Sequence, residues 1–213
     1  MTSDEGSVVD VSEKLDFKVH YKELYGARQG VFHENCVPSL RYLAIDGQGD
    51  PSTSAQYVAA IEALYNVSYT LKFLSKKQGR DYAMGPLEGL WWADDMQSFV
   101  EGRRDLWRWT MMIIVPEWSS DGSLDAAKVQ VHSKKPDLDL AGISIMELTE
   151  GHCVQTLFVG PYADEAPVIA ELHQVYLPEH GLVARGRHHE IYLGDPRRGE
   201  PNKLKTLLRQ PVE

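Results

Sequence analysis

Residues 40–73, LRYLAIDGQGDPSTSAQYVAAIEALYNVSYTLKF, decide how the chain folds. LRYLAI (40–45) is a compact apolar run ended by Gly47 and Gly49, so it reads as a buried strand followed by a turn. Asp50-Pro51 and the serines at 52 and 54 supply helix-start chemistry, because their side-chain oxygens accept backbone N–H bonds that a first helical turn leaves unpaired. From Ala55 to about Lys76 there is neither Gly nor Pro, which predicts one long helix.

Upstream, DFKVHYKELYGA (16–27) is a short amphipathic element, and residues 1–14 read as a disordered tail. Downstream, DYAMGPLEGLWW (81–92) reads as a strand kinked around Gly85-Pro86. DLWRWTMMIIVPEW (105–118) is a strand dense in β-branched and aromatic residues, stopped at Pro116. SSDGSLDAAKVQVHSKKPDLDLAGI (119–143) is polar and turn-rich, a linker between two halves with a helix from about Leu124 to His132.

The second half repeats the order of the first. HCVQTLFVGPYADEAP (152–167) is a strand ending in a Gly-Pro turn with acidic cap residues, and APVIAELHQVYLPEHG (166–181) is a helix stopped by Pro178 and Gly181. RHHEIYLGDPRR (187–198) is the strand after it. The order of elements therefore predicts an α+β domain over 15–213 built as a duplicated βαββ unit, with pseudo-repeats at about 36–118 and 140–213.

Composition narrows the function. At 213 residues, 43% hydrophobic and 25% charged, the chain is a soluble globular type. Its net charge of −9 lacks the clustered Lys and Arg that a phosphate backbone requires, so no nucleic-acid partner is expected. An acidic surface suits cationic small molecules instead. The two cysteines, Cys36 and Cys153, sit in or beside apolar runs, which suggests a reducing compartment and no disulfide framework. The N-terminus lacks the basic and apolar regions of a signal peptide, and runs such as MMIIV are too short to span a membrane. A cytoplasmic protein without membrane partners is the expectation.

Few residues offer chemistry. His188, His189 and Glu190 are adjacent, but strand alternation turns His189 away from the other two, and no second ligand motif stands nearby. No metal and no cofactor are expected. Gly47-Gln48-Gly49 lacks the third glycine of a dinucleotide fingerprint and reads as a turn. Aromatics are the more telling feature: Trp91 and Trp92 end one strand, Trp107 and Trp109 share a face of the next, and Tyr65 and Tyr69 stand one helical turn apart. Such residues also dominate ordinary cores.

Glu190 shares its strand face with His188 and Tyr192, while His189 and Ile191 take the other. Two readings stand. On a rim, Glu190 pairs with Arg187 or Arg197. On a concave face it sits among rings, where desolvation raises its pKa and equips it as a counter-ion for a cationic aromatic ligand or as a general base.

LAIDGQGDP (43–51), AIEALYNVSYTLKF (60–73), PLEGLWW (86–92), HHEIYLGDPRR (188–198) and KLKTLLRQPV (203–212) together resemble the GyrI-like small-molecule-binding family, in its stand-alone branch. The resemblance implies a duplicated βαββ pair, SH2-like, with antiparallel sheets around a central aromatic pocket and helices outside. The same fold serves as the drug-sensing domain of MerR-type and AraC-type regulators, where a pocket glutamate meets planar lipophilic cations; Glu190 matches that position. Some stand-alone members are implied to be hydrolases that open the cyclopropane of DNA-alkylating natural products and so detoxify them.

On that resemblance Glu190 is the base. Tyr192 and Tyr65 are candidate donors, and Trp91, Trp92, Trp109, Tyr69 and His188 candidate ligand contacts. The partner is a small aromatic molecule, either turned over or merely sequestered. A gyrase-interacting role is the third reading.

Overall fold

The computed structural model describes residues 14–94, 103–194 and 200–213. The tail expected over 1–14 lies outside them apart from Lys14, as does Arg197. The strands are β1 (His33–Gln48), β2 (Leu87–Trp92), β3 (Arg108–Val115), β4 (Ser144–Val159), β5 (His188–Tyr192) and β6 (Lys205–Pro211). All pair antiparallel and close into a barrel in the order β1–β3–β2–β5–β6–β4. The helices are α1 (Phe17–His20), α2 (Ala55–Lys77), α3 (Asp121–Lys134), α4 (Ala166–Glu171) and α5 (Leu177–Glu179).

The fold is thus α+β with antiparallel pairing, but the sheet is one closed barrel where separate sheets were expected. Closure depends on two strands of 16 residues each, longer than the apolar runs suggested. β1 pairs with β3 through 41–48 and with β4 through 33–44; β4 goes on to pair with β6 through 153–159. Pro38 and Gly151, residue types that ordinarily interrupt strands, both lie inside them. Pro38, which has no N–H to give the ladder, falls between the pairs Val37↔Gly151 and Ser39↔Thr149, and the register continues unchanged on either side. Gly151 takes the bend with φ +68, which a side chain would resist.

Helix α2 begins where the serines predicted. The Ser54 hydroxyl accepts from the Tyr57 N–H at 3.2 Å, and Ala60, Ala63, Leu64, Val67 and Leu71 line its buried face. The polar segment read as a linker is a packed element: α3 is capped by Ser120 and Ser123, and its Leu124, Ala127 and Val131 join the same core. The helix predicted over 166–181 is interrupted. A π-helical turn over Leu172–Tyr176 separates α4 from α5, just ahead of Pro178, whose ring and missing N–H disrupt regular bonding.

Strand alternation splits the barrel into two environments. One outer face carries Leu43, Met111, Ile113, Trp91 and Trp109 under α2 and α3. The interior holds Tyr42, Leu90, Met112, Ile114, Ile191 and Leu207, joined by Phe17, Leu24 and Tyr25 of the N-terminal segment.

An ionic network is embedded in that interior. His189 lies between two carboxylates, its Nδ1 3.0 Å from Glu150 and its Nε2 3.0 Å from Glu88. Because ionised carboxylates only accept, both ring nitrogens must donate, and the imidazole is held as a cation with its pKa raised. Arg209 Nη1 donates to Glu150 at 3.0 Å, and Tyr25 donates to Glu88 at 2.8 Å. Two cations thus balance two anions. His189 locks β5 from the inside, which fixes the outward direction of its neighbour Glu190.

Gly47 is needed for close approach more than for a turn. It lies in β1 opposite Trp109, and a Cβ there would fall 2.0 Å from the indole ring. Gly47→Ala is expected to cost about 1–3 kcal/mol through overpacking, read as a lower denaturation midpoint in urea. An unchanged midpoint would show that Trp109 has room to move.

Candidate functional site

Four strands supply the floor of the site. His188, Glu190 and Tyr192 of β5 point outward, in register with Trp91, Gly89 and Leu87 of β2. On the far side, Glu190 and Tyr192 pair with Leu208 and Thr206 of β6. Trp91 in turn pairs with Trp109 of β3. Gly89 leaves open the space beside Glu190, where a Cβ would come within 2.8 Å of Trp91 Nε1 and 3.2 Å of the Tyr192 hydroxyl.

That space holds a directional chain of hydrogen bonds. The Trp91 indole N–H donates to the Tyr192 oxygen at 3.1 Å, and the Tyr192 hydroxyl donates to Glu190 Oε2 at 2.7 Å. The proton of Tyr192 is therefore committed to Glu190, and burial raises the phenol's pKa far above its ordinary value. In this geometry Tyr192 positions the carboxylate instead of standing free as an acid.

The walls are aromatic. Tyr57 of α2 meets Trp109 edge-on at 5.2 Å and lies 6.1 Å from Trp91. Trp107 closes on Trp91 at 6.0 Å. Tyr162 sits edge-on to Tyr192 at 5.4 Å, in a 3₁₀ turn over Tyr162–Asp164.

Glu165 follows that turn. It occupies the N-cap position of α4, where the sequence suggested an acidic cap, yet its side chain makes no cap bond. It is buried instead, and its Oε1 has no hydrogen-bond partner among the described residues.

The electrostatics follow from burial. Glu190 has a side chain only 14% exposed, and desolvation raises its pKa, opposed by the Tyr192 hydrogen bond and the His189 charge. Glu165 is raised by burial and then by the nearby Glu190, with the Thr206 hydroxyl acting the other way. Two buried carboxyls this close resist ionising together, so one of them holds a proton near neutrality. Burial likewise pushes His188 down to about 3. It is therefore neutral, and its 3.7 Å approach to Glu190 is not an ion pair. Neither His188 nitrogen has a hydrogen-bond partner among the described residues.

The structure brings together Glu190, Tyr192, His188, Trp91 and Trp109. It does not bring Trp92 to them: as the strand neighbour of Trp91 it faces the other side, against the interior core, with the Arg187 guanidinium 3.7 Å from its ring. That contact also removes Arg187 as a rim partner for Glu190. Tyr65 is half-buried against the outer core, and Tyr69 stacks on it at 6.4 Å but is 48% exposed. Tyr69 is thus at most an outer neighbour of the aromatic wall.

Sequence reading missed Tyr57, Tyr162 and Glu165. The signal for the last two was GPYADE, taken as turn and cap chemistry. Among the described residues no group of three or more His, Cys, Asp or Glu is placed to hold a metal ion, and no helix is long and apolar enough to cross a membrane.

A buried carboxylate among aromatic rings is a candidate small-molecule site, and the comparisons agree in kind. Residues 33–213 match the model of the GyrI-like small molecule binding domain, and the chain belongs to that family. An uncharacterized conserved protein from Listeria innocua is 35% identical, with a TM-score of 0.85 over 94% of this chain and 100% of that one. A hydrolase from Listeria innocua is 36% identical, with a TM-score of 0.81 over the same shares, 94% and 100%. The EcmrR C-terminal domain shares the fold alone, at 10% identity and a TM-score of 0.57 over 86% of this chain and 97% of that one. No curated protein matches the chain.

Proposed function

We propose that this protein binds planar, lipophilic aromatic compounds in the cleft between β5 and α2 and hydrolyses electrophilic, cyclopropanoid members of that class, with Glu190 as general base. The observation that carries the reading is the Trp91–Tyr192–Glu190 chain. A carboxylate among indole and phenol rings, aimed by a phenol whose own ionisation burial opposes, is suited to orient a water and take its proton. The aromatic walls stack on a flat substrate and exclude bulk solvent. Similarity to a hydrolase at 36% identity supports turnover.

A carbonyl-conjugated cyclopropane is a fitting electrophile. Water attacks its strained methylene, and the breaking C–C bond delivers its electrons to the carbonyl oxygen. Sequestration of lipophilic cations without turnover is the second reading, favoured by the same buried anion among π faces. The order βαββ–βαββ, with β1–β3–β2 and β5–β6–β4 as matching halves, supports a duplicated unit at about 36–118 and 140–213, and a cytoplasmic setting fits the free cysteines. The test is a screen of planar cations and cyclopropanoids for binding and turnover, each against wild type and Glu190→Gln. Binding of cations with no turnover of any cyclopropanoid would favour sequestration.

A further inference from the structure

Glu165 is a buried acid with no structural task in sight. It stands at the N-cap of α4 without capping it, is 4% exposed, and leaves Oε1 without a partner among the described residues. A surface-capable residue at the start of a helix would normally reach water or the free N–H groups of the first turn. Here the chain turns it the other way. Tyr162, three residues earlier, is seated edge-on against Tyr192, which fixes the 162–165 segment over β5. Thr206, whose hydroxyl adjoins Glu165, is the cross-strand partner of Tyr192 on β6. Glu165 is therefore set beside the same Tyr192 that holds Glu190, within electrostatic reach of that carboxyl. Neutral His188, also buried and unpartnered among the described residues, leaves a second polar opening beside Glu190.

We propose that Glu165 is a second catalytic residue, the general acid that protonates the oxygen on which negative charge develops, opposite the base Glu190. This rests on the hydrolytic reading above and specifies its substrate class: a neutral, carbonyl-activated electrophile whose opening creates an oxyanion. In the reacting state Glu190 is ionised and Glu165 carries the proton. Glu190 takes a proton from water as the water oxygen bonds to the cyclopropane methylene. The methylene–ring C–C bond breaks, and its electron pair moves through the ring to the carbonyl oxygen, which becomes a phenolate. Glu165 gives that oxygen its proton. One water has been added, and the pair ends with the proton on Glu190 in place of Glu165. Passage of that proton back to Glu165 restores the starting state. Burial and mutual repulsion keep one proton on the pair, so the acid need not be recruited from solvent. Tyr192 is not available for this duty, since its hydroxyl is committed to Glu190.

The test follows the opening of a spirocyclopropyl-cyclohexadienone by absorbance, across pH, with wild type, Glu165→Gln, Glu165→Asp and Glu190→Gln, after near-UV circular dichroism confirms that each is folded. Wild type should give a bell-shaped kcat profile, falling at low pH as Glu190 protonates and at high pH as Glu165 ionises. Glu165→Gln should lower kcat by about 10²–10⁴-fold and lose the alkaline limb. Glu165→Asp should restore part of both. A wild-type rate and an intact alkaline limb in Glu165→Gln, with Glu190→Gln inactive, would overturn the acid assignment and leave the base reading standing. Activity in Glu190→Gln at the wild-type rate, or no turnover by wild type, would overturn both.

Discussion

Glu190→Gln is expected to lower cyclopropanoid turnover by about 10²–10⁴-fold, the usual contribution of a positioned base. The amide keeps the shape of the carboxylate, and its oxygen can still accept from Tyr192, so the fold and the aromatic walls persist. What disappears is the ability to take a proton. Affinity for a neutral planar ligand should change little, whereas affinity for a planar cation should fall with the lost charge. The pH dependence has a definite sign. Burial raises the Glu190 pKa, and a base must be ionised, so wild-type activity should be lost as pH falls through that raised value. Glu190→Gln should show no such acidic limb. Turnover at the wild-type rate would refute the base assignment, and unchanged cation affinity would refute the counter-ion reading as well.

His189→Ala is expected to destabilise the protein by about 3–5 kcal/mol, the range for removing one partner of a buried ionic group. Glu88 and Glu150 would then share a fully buried space with Arg209 as the remaining cation beside Glu150. The wild-type network also fixes how stability varies with pH. Glu150, held down to about 2 by the His189 and Arg209 charges despite burial, contributes stability that is present above its unfolded value of about 4.3. That contribution is lost as pH falls toward 2. His189 is raised, so its contribution is complete below its unfolded value of about 6.5 and is lost as pH rises through the folded value. Urea denaturation of wild type and His189→Ala at several pH values reads both effects. A loss under 1 kcal/mol, on the order of an exposed pair, would contradict the interior network.

The fold was legible where local chemistry acts alone. Ser54 and the unbroken run after it marked α2 almost to the residue, and Pro116 marked the end of β3, whose start lies three residues after Asp105, behind a 3₁₀ turn over Arg104–Leu106. The extensions of β1 and β4 through Pro38 and Gly151 were hidden, because whether a proline or glycine ends a strand depends on the register of the partner strand. The same holds for barrel closure, which is a property of strand pairing over long sequence separations.

The site was half legible. Period-two alternation placed Glu190, His188 and Tyr192 together, and it also separates Trp91 from Trp92 once the inward face is known. Glu165 stayed hidden because cap position and buried acid look alike in GPYADE; only the seating of Tyr162 on Tyr192 distinguishes them. Tyr57 was one tyrosine among several on α2 until its contact with Trp109 singled it out.

The ionisation of Glu190, the buried carboxyl proposed to meet the ligand, can be followed directly. Titration of the Glu190 side-chain carbon by ¹³C NMR, assigned by its loss in Glu190→Gln, should give a pKa well above that of an exposed glutamate. The pKa should fall when a planar lipophilic cation binds, because the cation favours the ionised form. An ordinary glutamate pKa that ignores every planar ligand would place Glu190 outside the site and rule out both its roles there.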